Sequence, residues 1–209
     1  MARYTGAVCR LCRREGQKLF LKGQRCFTGK CSVARRAYAP GQHGQGRSKT
    51  SEYGLQLRTK QSTRRYYGLL ENQFKKFYNL AQKREGKVGE QLLVVLESRL
   101  DNIVYRLGFA DSRPQARQLV KHNFFLVNGS RVNIPSYLVK PGSVISVADS
   151  KQQNENIKKV IESNSARVVP KWLECDKNKF EGKMISYPER GDIDFEVEEH
   201  LIVELYSKV

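Results

Sequence analysis

Four cysteines near the amino end are the residues best suited to chemistry. Cys9 and Cys12 form a C-x-x-C, thirteen residues follow, and Cys26 and Cys31 form a C-x-x-x-x-C. Two close pairs joined by a short loop let four thiolates close a tetrahedron around one ion without a large fold behind them. The intervening RREGQKLFLKGQR has Gly16 and Gly23 for turns, with Leu19, Phe20 and Leu21 to pack beside the site. One structural ion is expected, zinc ahead of an iron–sulfur cluster, because thiolate count alone does not separate the two. Four protein ligands would leave no open coordination position, so Lewis-acid chemistry is not expected. Disulfides are the weaker reading, since MARYTGAVCR lacks the apolar core of a signal peptide, and a thioredoxin-like redox pair would need a βαβ setting. Cys175, in an alternating WLECD stretch, reads as a small half-buried residue and not a ligand.

The elements that must position these residues are strongly basic. The 209-residue chain carries 38 Lys and Arg against 21 Asp and Glu, a formal +17. The excess is uneven: residues 1–90 hold 21 basic and 5 acidic side chains, residues 91–150 hold 7 and 4, and residues 151–209 hold 10 and 12. A small soluble domain needs a net charge of only about 2 to 8, so a polyanion partner is expected to meet the first half and the middle. No run approaches the roughly 20 apolar residues of a membrane span, and the basic part shows no long amphipathic helix, so no membrane partner is expected and the chain should stay where it is made. YAPGQHGQGR, residues 38–47, is too rich in Gly and Pro for regular structure and can bring backbone amides to a phosphate, or serve as a flexible linker. Residues 51–84 show helical recurrence, with Gly54 and Gly68 separating two or three helices, Phe74, Phe77 and Tyr78 in the core, and Arg58, Lys60, Arg64 and Arg65 outside.

In the middle, Leu92, Leu93, Leu96, Leu100, Ile103, Val104 and Leu107 recur at helical spacing, with Arg99 and Arg106 free to face away and an end near Gly108. A second helix starts with Asp111 or Ser112 as cap candidates and Pro114 in its first turn, and places Ala116, Leu119 and Val120 on its buried side. Asn128-Gly129 then signals a hairpin, and Ser143 to Val147 a further strand. Residues 153–163 read as a polar helix, residues 171–188 as a hairpin extending the sheet, and the end of the chain as a helix or strand docking on the helical half. Two small helices and a hairpin presenting Arg, Lys and amides suit RNA, which is read by shape, phosphate and ribose contacts. The alternative is an αα-hairpin with an ordinary solvated basic face.

The stretch SRLDNIVYRLGFADSRPQARQLVKHNFFLVNGSRVNIPSYLVKPGSVISV, residues 98–147, closely resembles the RNA-binding module named after the fourth small-subunit ribosomal protein. YAPGQHGQGR, YGLLENQF at residues 67–74 and LIVELYS at residues 201–207 extend the resemblance over nearly the whole chain, to the bacterial uS-four family in its four-cysteine form. Pro114 stands where that family often has a basic residue and Asn123 where it often has glycine; asparagine tolerates a left-handed turn. The fold class expected is α+β, with a cysteine metal knuckle and basic Gly/Pro loop at 1–45, a helical domain at 46–95 joined by 190–209, and the RNA-binding module with its sheet, antiparallel or mixed, at 96–189. The resemblance implies a primary ribosomal-RNA-binding protein that organises an RNA junction, nucleates subunit assembly and influences decoding accuracy in the cytoplasmic ribosome. Its implied partners are small-subunit ribosomal RNA, neighbouring small-subunit proteins and messenger RNA near the entry path, with repression of its own messenger in some bacteria. Expected RNA contacts in the first half are Arg3, Arg10, Arg13, Arg14, Lys22, Arg35, Arg36, Tyr38, Gln42, His43, Arg47, Arg58, Lys60, Arg64 and Arg65. In the middle they are Arg99, Ser112, Arg113, Gln115, Arg117, Gln118, Lys121, His122, Asn128 and Arg131. No catalytic residue is assigned: the chain has no phosphate-binding Gly loop with Lys and no triad-like grouping, and a DNA regulator would need a recognition helix that is not visible.

Overall fold

A computed structural model describes residues 3–46 and 49–208. In chain order the elements are α1 (Val8–Glu15), α2 (Ser32–Arg35), α3 (Glu52–Tyr66), α4 (Glu71–Gln82), α5 (Val88–Glu97), α6 (Leu100–Arg106), α7 (Arg113–Lys121), β1 (Phe125–Val127), β2 (Ser130–Arg131), β3 (Val144–Val147), α8 (Asp149–Gln152), α9 (Glu155–Ser163), β4 (Leu173–Asp176), β5 (Glu181–Met184) and α10 (Glu199–Ser207). The chain divides into two compact units, Met1–Leu92 with Phe195–Val209, and Leu93–Asp194. Arg47, one of the expected RNA contacts, lies outside the described residues.

In the first unit α1 and α10 both pack on α3. Ser51 caps α3 by accepting from the Gly54 N–H, so Gly54 lies in the first turn of this helix instead of separating two. Gly68, at φ +67, does separate α3 from α4, where a side chain in the left-handed region would be strained. The aromatic residues go inward: Phe74, Phe77 and Tyr78 are buried, Tyr66 stacks on Phe195 at 4.1 Å and Tyr78 meets Tyr206 at 4.4 Å. Among the described residues, none of the helices is long and apolar enough to cross a membrane.

The second unit is an α+β body whose five-stranded sheet, in the order β2-β1-β3-β5-β4, is antiparallel throughout. Asn128 (φ +50) and Gly129 (φ +79) make the tight turn between β1 and β2, and the Asn128 side chain accepts from the Val144 N–H. That side chain therefore locks β1 to the entry of β3. α6 and α7 cover Phe125, Val127, Ile145, Val147 and Met184. Ser112 is the N-cap residue of α7 with Pro in its first turn, and Asn123 adopts φ +58, the left-handed turn expected of it.

One long apolar helix from Leu92 to Leu107 does not form. Arg99 is extended, at φ −70 and ψ 139, and bridges Leu138. Val139 donates to the Ser98 carbonyl, while Leu100 and Asp101 donate to Tyr137 and Pro135. Segment 135–139 thus takes over backbone groups that a continuous helix would pair within itself.

Candidate nucleic-acid interface and thiol cluster

Cys12, Cys26 and Cys31 are buried, Cys9 is partly so, and all four thiols are unbridged. They line one small cavity together with Leu19, Phe20 and Leu21. α1 carries Cys9 and Cys12 one turn apart, and Gly16, at φ +70, stops the helix. The return through a short 3-10 turn, Gly23–Phe27, brings Cys26 back, and Cys31 precedes α2. Lys22 donates its N–H to the Cys26 sulfur at 3.4 Å. Burial raises the Cys12 thiol above its ordinary value, with the neighbouring Cys26, Cys9 and Cys31 adding to it. Burial likewise raises Cys26. At Cys31 burial opposes ionisation, but the Ala34 and Val33 N–H groups and the Lys18 and Arg25 charges outweigh it and hold this thiol low. The four cysteines line the same cavity, yet among the described residues no three His, Cys, Asp or Glu side chains form a group that could hold a metal ion.

The expected RNA contacts sort into three kinds. Arg3, Arg10, Arg14, Lys22, Arg35, Arg36, Gln42 and His43 are exposed in the first unit, and Gln118, Lys121, His122, Asn128 and Arg131 in the second. These are exposed to a polyanion, although Asn128 also accepts from Val144 and Arg35 donates to the Gly29 carbonyl, and in the second unit they belong to the end of α7 and the β1–β2 hairpin. A second group is half-buried and already engaged. Arg13 donates its Nε to the Tyr38 carbonyl at 3.0 Å and lies over the Tyr38 ring at 4.8 Å, pinning the start of the Gly-rich loop. Arg58 and Arg65 both pair with Glu15, whose side chain is 1% exposed. Burial pushes the Glu15 carboxyl above its ordinary range, against the pull of Arg65 and Arg58. Lys60, itself buried, donates to Glu71 at 2.8 Å, and Arg64 lies 3.7 Å from the same carboxylate. Burial works against ionisation of Glu71, but hydrogen bonds from Lys60 and Tyr206 win and lower its pKa. α3 therefore commits these four cations to two carboxylates, the buried Glu15 and the 40% exposed Glu71. Gln115 is held in the same way, accepting from the Asp111 N–H at 2.7 Å.

The third group corrects the expectation of outward-facing arginines. Arg99 has no exposed surface and makes a bidentate pair with Asp101, at 2.9 and 2.5 Å. Arg117 lies 3.5 Å from the same carboxylate, and Arg113 donates to Asn102 at 2.7 Å. Arg106, also expected to face away, makes two bonds to Glu97, at 3.0 and 2.8 Å, and a third to Asp194. The Tyr105 ring has the guanidiniums of Arg113 at 4.5 Å and Arg167 at 4.6 Å from its centroid. Ser112 is buried as well. A helical repeat places a residue on a face, but it does not reveal that a carboxylate lies waiting there; Glu97 and Asp101 turned these cations inward, because a buried charge is tolerable only when paired. Spacing also gave no reason to single out Phe27, which is 66% exposed beside the thiol cluster.

The model of the ribosomal protein S4/S9 N-terminal domain matches residues 3–97, and that of the S4 domain matches residues 98–145. The chain is 62% identical to the small ribosomal subunit protein uS4 of Ruminiclostridium cellulolyticum, 60% to that of Acetivibrio thermocellus and 59% to that of Pelotomaculum thermopropionicum. Each alignment runs over 208 residues and covers 100% of both chains.

Proposed function

This chain belongs to the uS4 family of small ribosomal subunit proteins, and from that premise we propose that it clamps a junction of small-subunit ribosomal RNA helices. The family is structural and not enzymatic, its members bind ribosomal RNA, and its place is the ribosome of the cytoplasm. The observation that carries the clamp is the division of labour among the cations. One set is paired within each unit and ties its elements together, and a second is left exposed on α1, α2, the end of α7 and the hairpin. Rigid basic surfaces suit RNA junctions, whose helices are recognised by shape and backbone and not by an inserted reading helix. Early subunit assembly, an influence on decoding accuracy, contacts with neighbouring small-subunit proteins and with messenger RNA near its entry path belong to the same reading. Full-length protein should bind a small-subunit ribosomal RNA transcript at least about tenfold more tightly than duplex DNA of equal length at the same salt. Equal affinities in a filter-binding titration would remove the RNA clamp.

The four-cysteine form with one structural zinc is part of this proposal. Its support is the donor chemistry: Cys9, Cys12, Cys26 and Cys31 line one cavity, and ionised together they would repel one another unless a cation lay among them. An iron–sulfur cluster is the lesser alternative on the same four residues. Elemental analysis of purified protein should find one zinc per chain, lost when Cys9 and Cys26 are both replaced by serine. A folded amino-terminal segment without any metal would count against the knuckle.

A further inference from the structure

Beside the thiol cluster, Phe20 and Phe27 stack with ring centroids 5.0 Å apart and planes 27° from parallel. Phe27 remains 66% exposed, the largest exposure among the chain's big aromatic side chains that stand open to solvent. Neither ring is there by default. Leu19 and Leu21 on either side of Phe20 are buried, and Phe20 between them adopts φ +51, a left-handed conformation that is a true outlier for a bulky residue. Cys26, immediately before Phe27, is buried in the cluster, so the 3-10 turn sends the next side chain outward. Strain of this kind persists only where the surroundings enforce it, and it gathers at ligand clamps.

The chain around the stack is cationic. No Asp or Glu occurs between Glu15 and Glu52, whereas Lys18, Lys22, Arg25, Lys30 and Arg35 do. Arg25 donates to the Lys30 carbonyl and Arg35 to the Gly29 carbonyl, which fastens both guanidiniums to the loop that directly follows Phe27. An exposed aromatic face among cations, with no acidic neighbour in sequence, matches the way proteins hold single-stranded nucleic acid: the ring takes the base and the cations take its phosphates.

We propose that the Phe20–Phe27 stack is a platform for one unpaired nucleobase of the bound ribosomal RNA, with Phe27 as the stacking face and Phe20 as its support. This rests on the RNA clamp proposed above, and the test separates the two. Phe27→Ala and Phe27→Trp are made in the full-length protein, and each is titrated with a small-subunit ribosomal RNA transcript over a range of salt concentrations. Because the ring is mostly in solvent, both variants should keep the circular dichroism spectrum and zinc content of the parent. Phe27→Ala should bind roughly tenfold to a hundredfold more weakly with an unchanged salt slope, since stacking releases no counterions. Phe27→Trp should keep the parent's affinity, and its added indole emission, taken as the difference from the parent, should be quenched by RNA. Full affinity in Phe27→Ala would overturn the platform while leaving the clamp standing, and an assembly defect with full RNA affinity would assign the ring to a protein neighbour instead. Weak binding by the unmutated protein itself would strike the clamp, independently of Phe27.

Discussion

Glu97→Ala should lower the stability of the Leu93–Asp194 unit by about 3 to 5 kcal/mol, the usual cost of removing one member of a buried ion pair. The Glu97 carboxylate has almost no exposed surface and takes two hydrogen bonds from Arg106 and another from Asn102. Without it, Arg106 loses both of its Glu97 bonds, and its pair with Asp194, whose side chain is 65% exposed, is a weaker anchor. Asn102 also accepts from Arg113, so the loss spreads toward the start of α7. Urea denaturation followed by circular dichroism would read the change as an earlier midpoint. Glu155→Ala, which breaks the exposed Lys159–Glu155 pair on α9, is the control and should move the midpoint little. A Glu97→Ala midpoint as close to the parent as the control's would mean that the network adds no stability. RNA affinity measured on the remaining folded protein should stay near the parent value, because Glu97 is not itself at the surface.

The second large effect concerns cations left exposed at the surface of the first unit. Replacing Arg10, Arg14, Lys22 and Arg36 together by glutamine should weaken ribosomal RNA binding by roughly two to three orders of magnitude near 0.1 M salt, and flatten the log–log salt dependence by about three. All four are exposed. Their removal should leave the melting temperature close to the parent's, since exposed charges contribute little to stability. Replacing Arg113 and Arg117 should do the reverse, lowering stability strongly and changing the salt slope little, because both are buried and bonded within their unit. If the exposed quadruple variant kept its full salt slope, the phosphate-facing surface of the first unit would have to lie elsewhere.

These two experiments trace the boundary between what local pattern reveals and what it hides. Asn128-Gly129 announced a hairpin because few residue pairs accept positive φ at both positions, and the turn is where it was expected. Ser112 with Pro114 marked the start of α7, and the spacing of Phe74, Phe77 and Tyr78 marked their buried side. The break at Ser98–Arg99 was not legible, since it depends on a backbone partner at residues 135–139 that no local repeat encodes. Gly54 was read as a separator because glycine weakens a helix interior, but at the first turn of α3 its N–H serves the Ser51 cap.

The sequence by itself determined the elements, the uneven cationic charge, the four-cysteine spacing and the likeness to a family of RNA-binding proteins, because each is written in residues close together or in composition. Only the tertiary structure decided which arginines stay exposed and which are buried and paired within the fold. Arg106 meets Asp194 across 88 positions, and Arg65 meets Glu15 across 50. The fate of a cation depends on whether folding brings a carboxylate to it before solvent or a phosphate does, and that proximity is a property of the folded chain and not of its local pattern.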